Sequence, residues 1–297
     1  MTGQLAATLI GGTAVLMWGS LALLTSGSGR VPPFQLVAMS FAIAFLLGVV
    51  KWIVRGDRPG AYLRQPPAVW LLGIGGLFGF HFFYFMALRN APAVDASLIS
   101  YIWPLLIVLF SALLPGGGLR WWHLAGAALG FAGCSLLITG GGTVVFRADF
   151  ALGYASAVAC GVTWAGYSVL SRRFKAVPTD TVAWFCAATA ALGLLSHLGF
   201  ETTVWPVGAG EWLSVLMLGL GPVGAAFFVW DYGVKHGDIR ALGAFSYAAP
   251  LISTLLLILF GRAEASWVVA AACAAIMGGA LLAARDVLRL PARVRVR

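Results

Sequence analysis

The stretch SLISYIWP, Ser97–Pro104, decides how this chain is read, because FSYAAP, Phe245–Pro250, repeats it far downstream. Ser100, Tyr101 and Pro104 recur as Ser246, Tyr247 and Pro250, three identities at one offset of 146 residues. Both stretches lie inside long apolar runs. A proline within a helix removes one backbone hydrogen bond and frees the carbonyl four residues earlier, here that of Ser100 in one copy and Ser246 in the other. Lipid offers such a carbonyl no partner, so twinned prolines point to functional helix breaks beside a polar-lined cavity or a neighbouring helix. The alternative is a purely structural kink, which membrane helices tolerate.

The surrounding composition sets the class. With 61% hydrophobic residues, 10% charged residues and a mean hydropathy of +0.93, the chain reads as an all-α integral membrane protein. Runs of about 20 apolar residues fall near 5–24, 34–54, 68–88, 94–114, 121–139, 150–170, 180–200, 211–231, 241–260 and 266–284, which predicts ten transmembrane helices. The first run has no basic leader and is expected to be retained as a helix. The net charge of +9 does not call for nucleic acid, because the basic residues sit in the connections between spans. If the N-terminus is cytoplasmic, fifteen Lys and Arg fall on that side, five of them in the tail after residue 284, and four fall outside: Arg30, Arg89, Arg147 and Arg262. The positive-inside rule then predicts both termini in the cytoplasm, and a bacterial inner membrane fits. Cys134, Cys160, Cys186 and Cys273 lie inside apolar segments without a C-x-x-C pair, so no metal site, disulfide framework or cofactor is expected.

The offset of 146 extends along the chain. It pairs Trp18 with Trp164, Pro32 with Pro178, Gly73 with Gly219, Phe82 with Phe228, Trp121 with Trp267 and Gly133 with Gly279. Two repeats of five spans follow, residues 1–146 and 147–297. Five is odd, so the second repeat enters the membrane from the opposite side and the two are inverted. Inverted repeats recur in secondary transporters, whose site lies near the bilayer midplane between the halves. Ten spans, a Trp in the first span of each half and an alanine-rich approach to a span with a central Pro resemble the drug/metabolite transporter superfamily, in its two-repeat EamA-type branch. Within it, the aromatic-rich run from Gly79 to Pro104 resembles the bacterial aromatic amino acid exporters. The resemblance implies a central cavity surrounded by spans 1, 3, 4, 6, 8 and 9. It also shows one departure: many members carry an acid ending the span-four hairpin, and LLPGGGLR, residues 113–120, has none.

Candidate cavity residues follow from helical spacing. Ser97, Ser100, Tyr101 and Pro104 share one face of span four, and Ser246, Tyr247, Pro250, Ser253 and Thr254 stack along span nine. Trp103 faces a smaller twin, Ala249. His81 and Tyr84 in span three correspond to Phe227 and Trp230 in span eight. The deep pair Trp18 and Trp164 needs partners for two indole N–H groups, which a cavity supplies. His81 is the titratable group nearest the centre of a span and is expected to donate a hydrogen bond to substrate. Each of these has a structural alternative, such as helix packing for the serines or a ring in the core. Pro104 and Pro250 are the expected helix breaks. Asp95 reads as an N-cap, Asp231 as a partner of Lys235, Trp121, Trp122 and Trp267 as interface anchors, and the glycines of GIGGLFG, residues 73–79, as helix-packing positions.

The resulting expectation is a monomeric exporter of small, largely apolar metabolites, aromatic amino acids first, working by alternating access. Without a mid-membrane acid, flux should follow the substrate gradient and not a proton. Other amino acids or hydrophobic drugs are the runner-up substrates. A membrane-embedded enzyme, channel or scaffold subunit would be a rival class, but no paired acids, HExxH, G-x-S-x-G or P-loop appears.

Overall fold

The computed structural model describes residues 3–115, 118–261 and 264–288. Two glycines of the 116–118 linker, Arg262 and the basic residues from Arg289 onward lie outside them. Long helices dominate: α1 (Gly3–Gly27), α2 (Pro33–Arg55), α3 (Pro67–Asn90), α4 (Ala93–Ser111), α5 (Trp121–Thr139), α6 (Ala151–Leu170), α7 (Thr179–Phe200), α8 (Ala209–His236), α9 (Ile239–Leu259) and α10 (Trp267–Ala283). By length and composition, eight of these can cross a membrane. The other two are α10, apolar but only 17 residues long, and α6. The 20 residues of α6 include two Tyr, a Trp, two Ser and a Thr, and half of the helix, with Trp164, Tyr167 and both serines, is buried within the protein.

Local chemistry sets the helix ends. Proline opens α2 at Pro33 and α3 at Pro67, where its missing N–H costs nothing and its fixed φ suits the first turn. Left-handed glycines close α2 at Gly56 (φ 70°) and α5 at Gly140 (φ 61°). The carboxylate of Asp238 caps α9 by accepting from the amides of Arg240 and Ala241. Asp95, expected as an N-cap, is not one. Pro92 holds that position, and Asp95 sits in the first turn of α4, where its Oδ2 accepts a hydrogen bond from the Tyr154 hydroxyl at 2.9 Å.

Helices pair in a regular pattern: α1 on α8, α2 on α7, α3 on α6 and α5 on α10, with α4 against α6 and α9. Replacing each helix by the one five places along turns the α1·α8 pair into α6·α3 and returns the other two pairs to themselves. Small residues permit these approaches. A Cβ on Gly11 would lie 2.8 Å from the Cα of Gly233, and one on Gly126 would lie 2.5 Å from the carbonyl oxygen of Gly279. In hydrocarbon such contacts replace the hydrophobic drive that lipid removes. In the GIGGLFG run only some glycines serve this way: Gly73 and Gly76 face Phe185 and Tyr167, while Gly75 faces open space. Large apolar side chains such as Val54, Leu71 and Leu195 point outward, as lipid contact requires. Trp121 and Trp267 are exposed near helix ends, whereas Trp122 turns inward and donates to Asp286 at 3.2 Å.

Among the described residues, four of these helices are interrupted. α1 turns at Gly19–Ser20, α4 at Tyr101–Ile102 and α9 at Ser246–Tyr247, each immediately before or within the proline or tryptophan motifs. α8 widens into a π-type turn over Gly221–Ala225, which contains Pro222. Pro104 and Pro250 thus stand in the first turn of the second segments of α4 and α9.

Candidate functional site

A cavity of about 910 Å³ lies among the interrupted segments. Its walls come from α1, α3, α4, α6, α8 and α9, and also from the first turns of α2, the last turn of α5 and the segment just after α7. The lining reaches Pro32 and Pro33, Arg89, Glu201 and Thr202, and so opens at the end of the bundle where α1, α3, α5, α7 and α9 finish. Its floor is aromatic. Trp18 stands edge-on to Trp103 at 6.1 Å and to Trp164 at 5.7 Å, and Phe227 lies 5.6 Å from Trp164. Along one wall Phe80 stacks on Tyr84 at 6.2 Å, and Phe41 backs the ring of Phe227 at 5.5 Å.

Of the residues expected there, Trp18, His81, Tyr84, Ser100, Tyr101, Trp103, Trp164, Phe227 and Pro250 line this space, as do Ser253 and Thr254. Trp230, Ser97, Ser246, Tyr247 and Pro104 do not. Trp230 is completely buried behind the floor and donates to the Ser168 hydroxyl at 3.1 Å. Ser97 stands behind Tyr84, 3.4 Å from its hydroxyl. Ser246 donates to its own helix at the Leu242 carbonyl, 2.8 Å away. Tyr247 accepts the amide of Leu105 at 3.1 Å, satisfying a donor in the interrupted turn of α4 and stitching α9 to it. Helical spacing alone could not separate these faces, since each residue shares its stripe with one that does line the cavity.

Two expected roles change in detail. The Trp18 indole donates to the Pro222 carbonyl at 3.0 Å, so the π-type turn of α8 supplies its partner and not the cavity contents. Trp164 has no such bond among the described residues. Neutral His81 donates from Nδ1 to the Leu77 carbonyl at 2.7 Å. Its proton is thereby committed, and Nε2 is left as a hydrogen-bond acceptor, matched to an ammonium group and not to a carboxylate.

The mouth carries charges that the sequence reading passed over as connection residues. Glu201 accepts the amides of Phe34 at 2.9 Å and Gln35 at 3.1 Å, capping α2 from the end of α7. His197 Nδ1 lies 3.0 Å from the same carboxylate. A carboxylate at a helix N-terminus satisfies orphan amides and complements the dipole. Arg89 lines the cavity nearby without a polar partner among the described residues. At the opposite end the bundle is shut. Lys235 and Asp231, both buried, pair at 2.8 Å as their spacing predicts; Thr179 donates to Asp231 at 2.7 Å, and Lys235 to the Val177 carbonyl at 3.1 Å. Arg172 reaches the carbonyls of Val234 and Gly237 there, and its burial lowers the pKa of the guanidinium.

A bundle of apolar helices around a ring-lined chamber, open at one end and latched at the other, has the form of a membrane transporter. The EamA-like transporter family model matches twice, over residues 5–139 and 151–285, and the chain belongs to that family. Both limits of the two matches are 146 residues apart. The chain is 55% identical to the aromatic amino acid exporter YddG of Ancylobacter novellus, covering 93% of this chain and 96% of that one. It is 25% identical to the protein of the same name from Salmonella typhimurium, over 86% of this chain and 88% of that one. A solved crystal structure with 54% identity matches with a TM-score of 0.90, covering 96% of this chain and 99% of the other.

Proposed function

We propose that this protein exports aromatic amino acids across a bacterial inner membrane by alternating access. The observation that carries the reading is the aromatic chamber of about 910 Å³, large enough for one amino acid and open to one side only. Tryptophan and phenylalanine rings give edge and face contacts to an aromatic side chain, and their π-faces attract its ammonium group. The Nε2 atom of His81 offers that ammonium a hydrogen bond, and the hydroxyls of Tyr84, Tyr101 and Ser253 complete a polar side. The high identity to an exporter of aromatic amino acids supports the same substrate class here.

The architecture that goes with this reading has ten spans in two inverted repeats, residues 1–146 and 147–297. The helix pairing, which maps onto itself under a five-helix shift, supports it, as does the 146-residue interval between the two family matches. The basic-residue count supports cytoplasmic termini, which makes the chamber face outward in this conformation. Each chain encloses a whole chamber, so a monomer suffices. The transport cycle needs no cofactor, and without a free carboxylate near the floor flux follows the substrate gradient.

Proteoliposomes decide the matter. Labelled phenylalanine or tryptophan should exchange across the membrane without an imposed pH gradient, and unlabelled aromatic amino acids should compete. A strict requirement for the gradient ends the facilitator reading, and no aromatic flux at all ends the substrate assignment.

A further inference from the structure

Six residues at the open mouth line the chamber: Val31, Pro32, Pro33, Phe85, Leu88 and Arg89. At the offset of 146 their counterparts are Val177, Pro178, Thr179, Asp231, Val234 and Lys235, none of which lines it. These six counterparts belong to the closed end. There Lys235 spans from the last turns of α8 to the connection before α7, where the Val177 carbonyl accepts its ammonium proton at 3.1 Å. The matching elements at the mouth are the last turn of α3, with Arg89, and the connection before α2, with Val31. They stand on either side of the opening.

From this we infer that Arg89 is the outer latch: when the chamber closes to the outside, its guanidinium docks on the Val31 carbonyl as Lys235 docks on that of Val177. The proposal rests on the inverted-repeat, alternating-access reading given above. An inverted repeat reaches its second state by exchanging the conformations of its halves, so a contact present in one half at the closed end must have a counterpart at the other end. Arg89 is the basic residue at that counterpart position. Glu201 does not compete for it, since the amides of Phe34 and Gln35 and the His197 ring already engage that carboxylate.

The two latches differ in strength for a reason visible in the residues. Lys235 is held by a buried carboxylate, Asp231, which Thr179 also bonds. The corresponding positions at the mouth hold Phe85 and Pro33, which offer no acid and no hydroxyl. The outer latch is one charged hydrogen bond to a carbonyl, while the inner one is a network. Resting with the mouth open and the inner end shut is the expected balance, and it is the conformation observed.

Labelling of whole cells with a membrane-impermeant maleimide tests this. In the full chain with its four cysteines changed to alanine, Thr25→Cys places a reporter on the chamber wall. Loosening the inner latch with Asp231→Asn plus Lys235→Met, which keeps volume and leaves no unpaired buried charge, should slow labelling about tenfold by populating the outward-closed state. Adding Arg89→Ala to that background should return labelling to near the parent rate, and adding Arg89→Lys should not. Membrane levels of each variant are read on the same samples. Unchanged labelling in the inner-latch variant, or no recovery with Arg89→Ala, overturns the latch. Phenylalanine efflux from the parent is measured separately: its absence would defeat the substrate assignment while the labelling pattern still judged the latch.

Discussion

The two Ser-Tyr segments carry the same residues into different work. In α4, Ser100, Tyr101 and Trp103 border the chamber, and the Ser100 hydroxyl is buried beside Cys160 of α6. In α9, Ser246 and Tyr247 face away from it, and Ala249, Pro250, Ser253 and Thr254 take up the wall one turn later. Tyr101 is wall, whereas Tyr247 is a strut whose hydroxyl holds the Leu105 amide of the other segment. At the position that corresponds to Trp103, the second repeat carries only the methyl group of Ala249. Repeated sequence therefore supplies a repeated helix break, and the unrepeated neighbours decide which copy lines the chamber.

Exchanging bulk across this pair should have the largest effect. Ala249→Trp places an indole in the chamber and should reduce aromatic amino acid flux by more than about tenfold with normal membrane levels, since an overfilled site excludes its ligand. Trp103→Ala removes a floor ring in contact with Trp18 and Trp164. It should lower the apparent affinity for phenylalanine by about tenfold, a loss of roughly 1.4 kcal/mol, and cost about 3 kcal/mol of stability in a detergent melt. Retained flux in both would remove the chamber from the transport route.

The tyrosines test the division between wall and strut. Tyr247→Phe leaves the Leu105 amide without its acceptor and should cost about 1–3 kcal/mol of stability, with KM for phenylalanine little changed. Tyr101→Phe should do the reverse, raising KM a few-fold and leaving the melting temperature close to the parent. Equal effects of the two substitutions would mean that the segments are functionally equivalent after all. The smallest difference is expected from the serines: Ser100→Ala should shift KM by about twofold, a few tenths of a kcal/mol, and Ser246→Ala, whose hydroxyl bonds its own helix, should shift neither KM nor stability measurably.

Much of the chamber was legible because it is built from features that a membrane makes rare. Deep tryptophans, a mid-span histidine and prolines in apolar runs stand out against leucine and alanine, and eleven of the sixteen residues singled out from sequence reach the lining. The misses lie on the correct helices. Ser97 shares an unbroken segment with Ser100, and Trp230 one with Phe227, so residues three apart sit side by side on one stripe and packing decides which of them reaches the chamber, while Ser246 stands in the interruption of α9 itself. The mouth was missed for a different reason. Arg89 stands in the last turn of α3 and Glu201 just past the end of α7, at span ends where a charge ordinarily marks orientation, and only packing brings Glu201 to the first turn of α2 and Arg89 to the rim.

Composition, periodicity and the 146-residue interval were enough to establish a helical membrane protein with doubled segments, because hydrophobic length and repeated Trp and Pro depend on the order of residues and on nothing else. Which face of each broken helix turns inward, which tyrosine bonds a backbone amide, and which end of the chamber is open depend on contacts between helices remote in the chain. Those contacts are set by glycine-mediated approach and by a few buried polar pairs, and their geometry exists only once the bundle has closed.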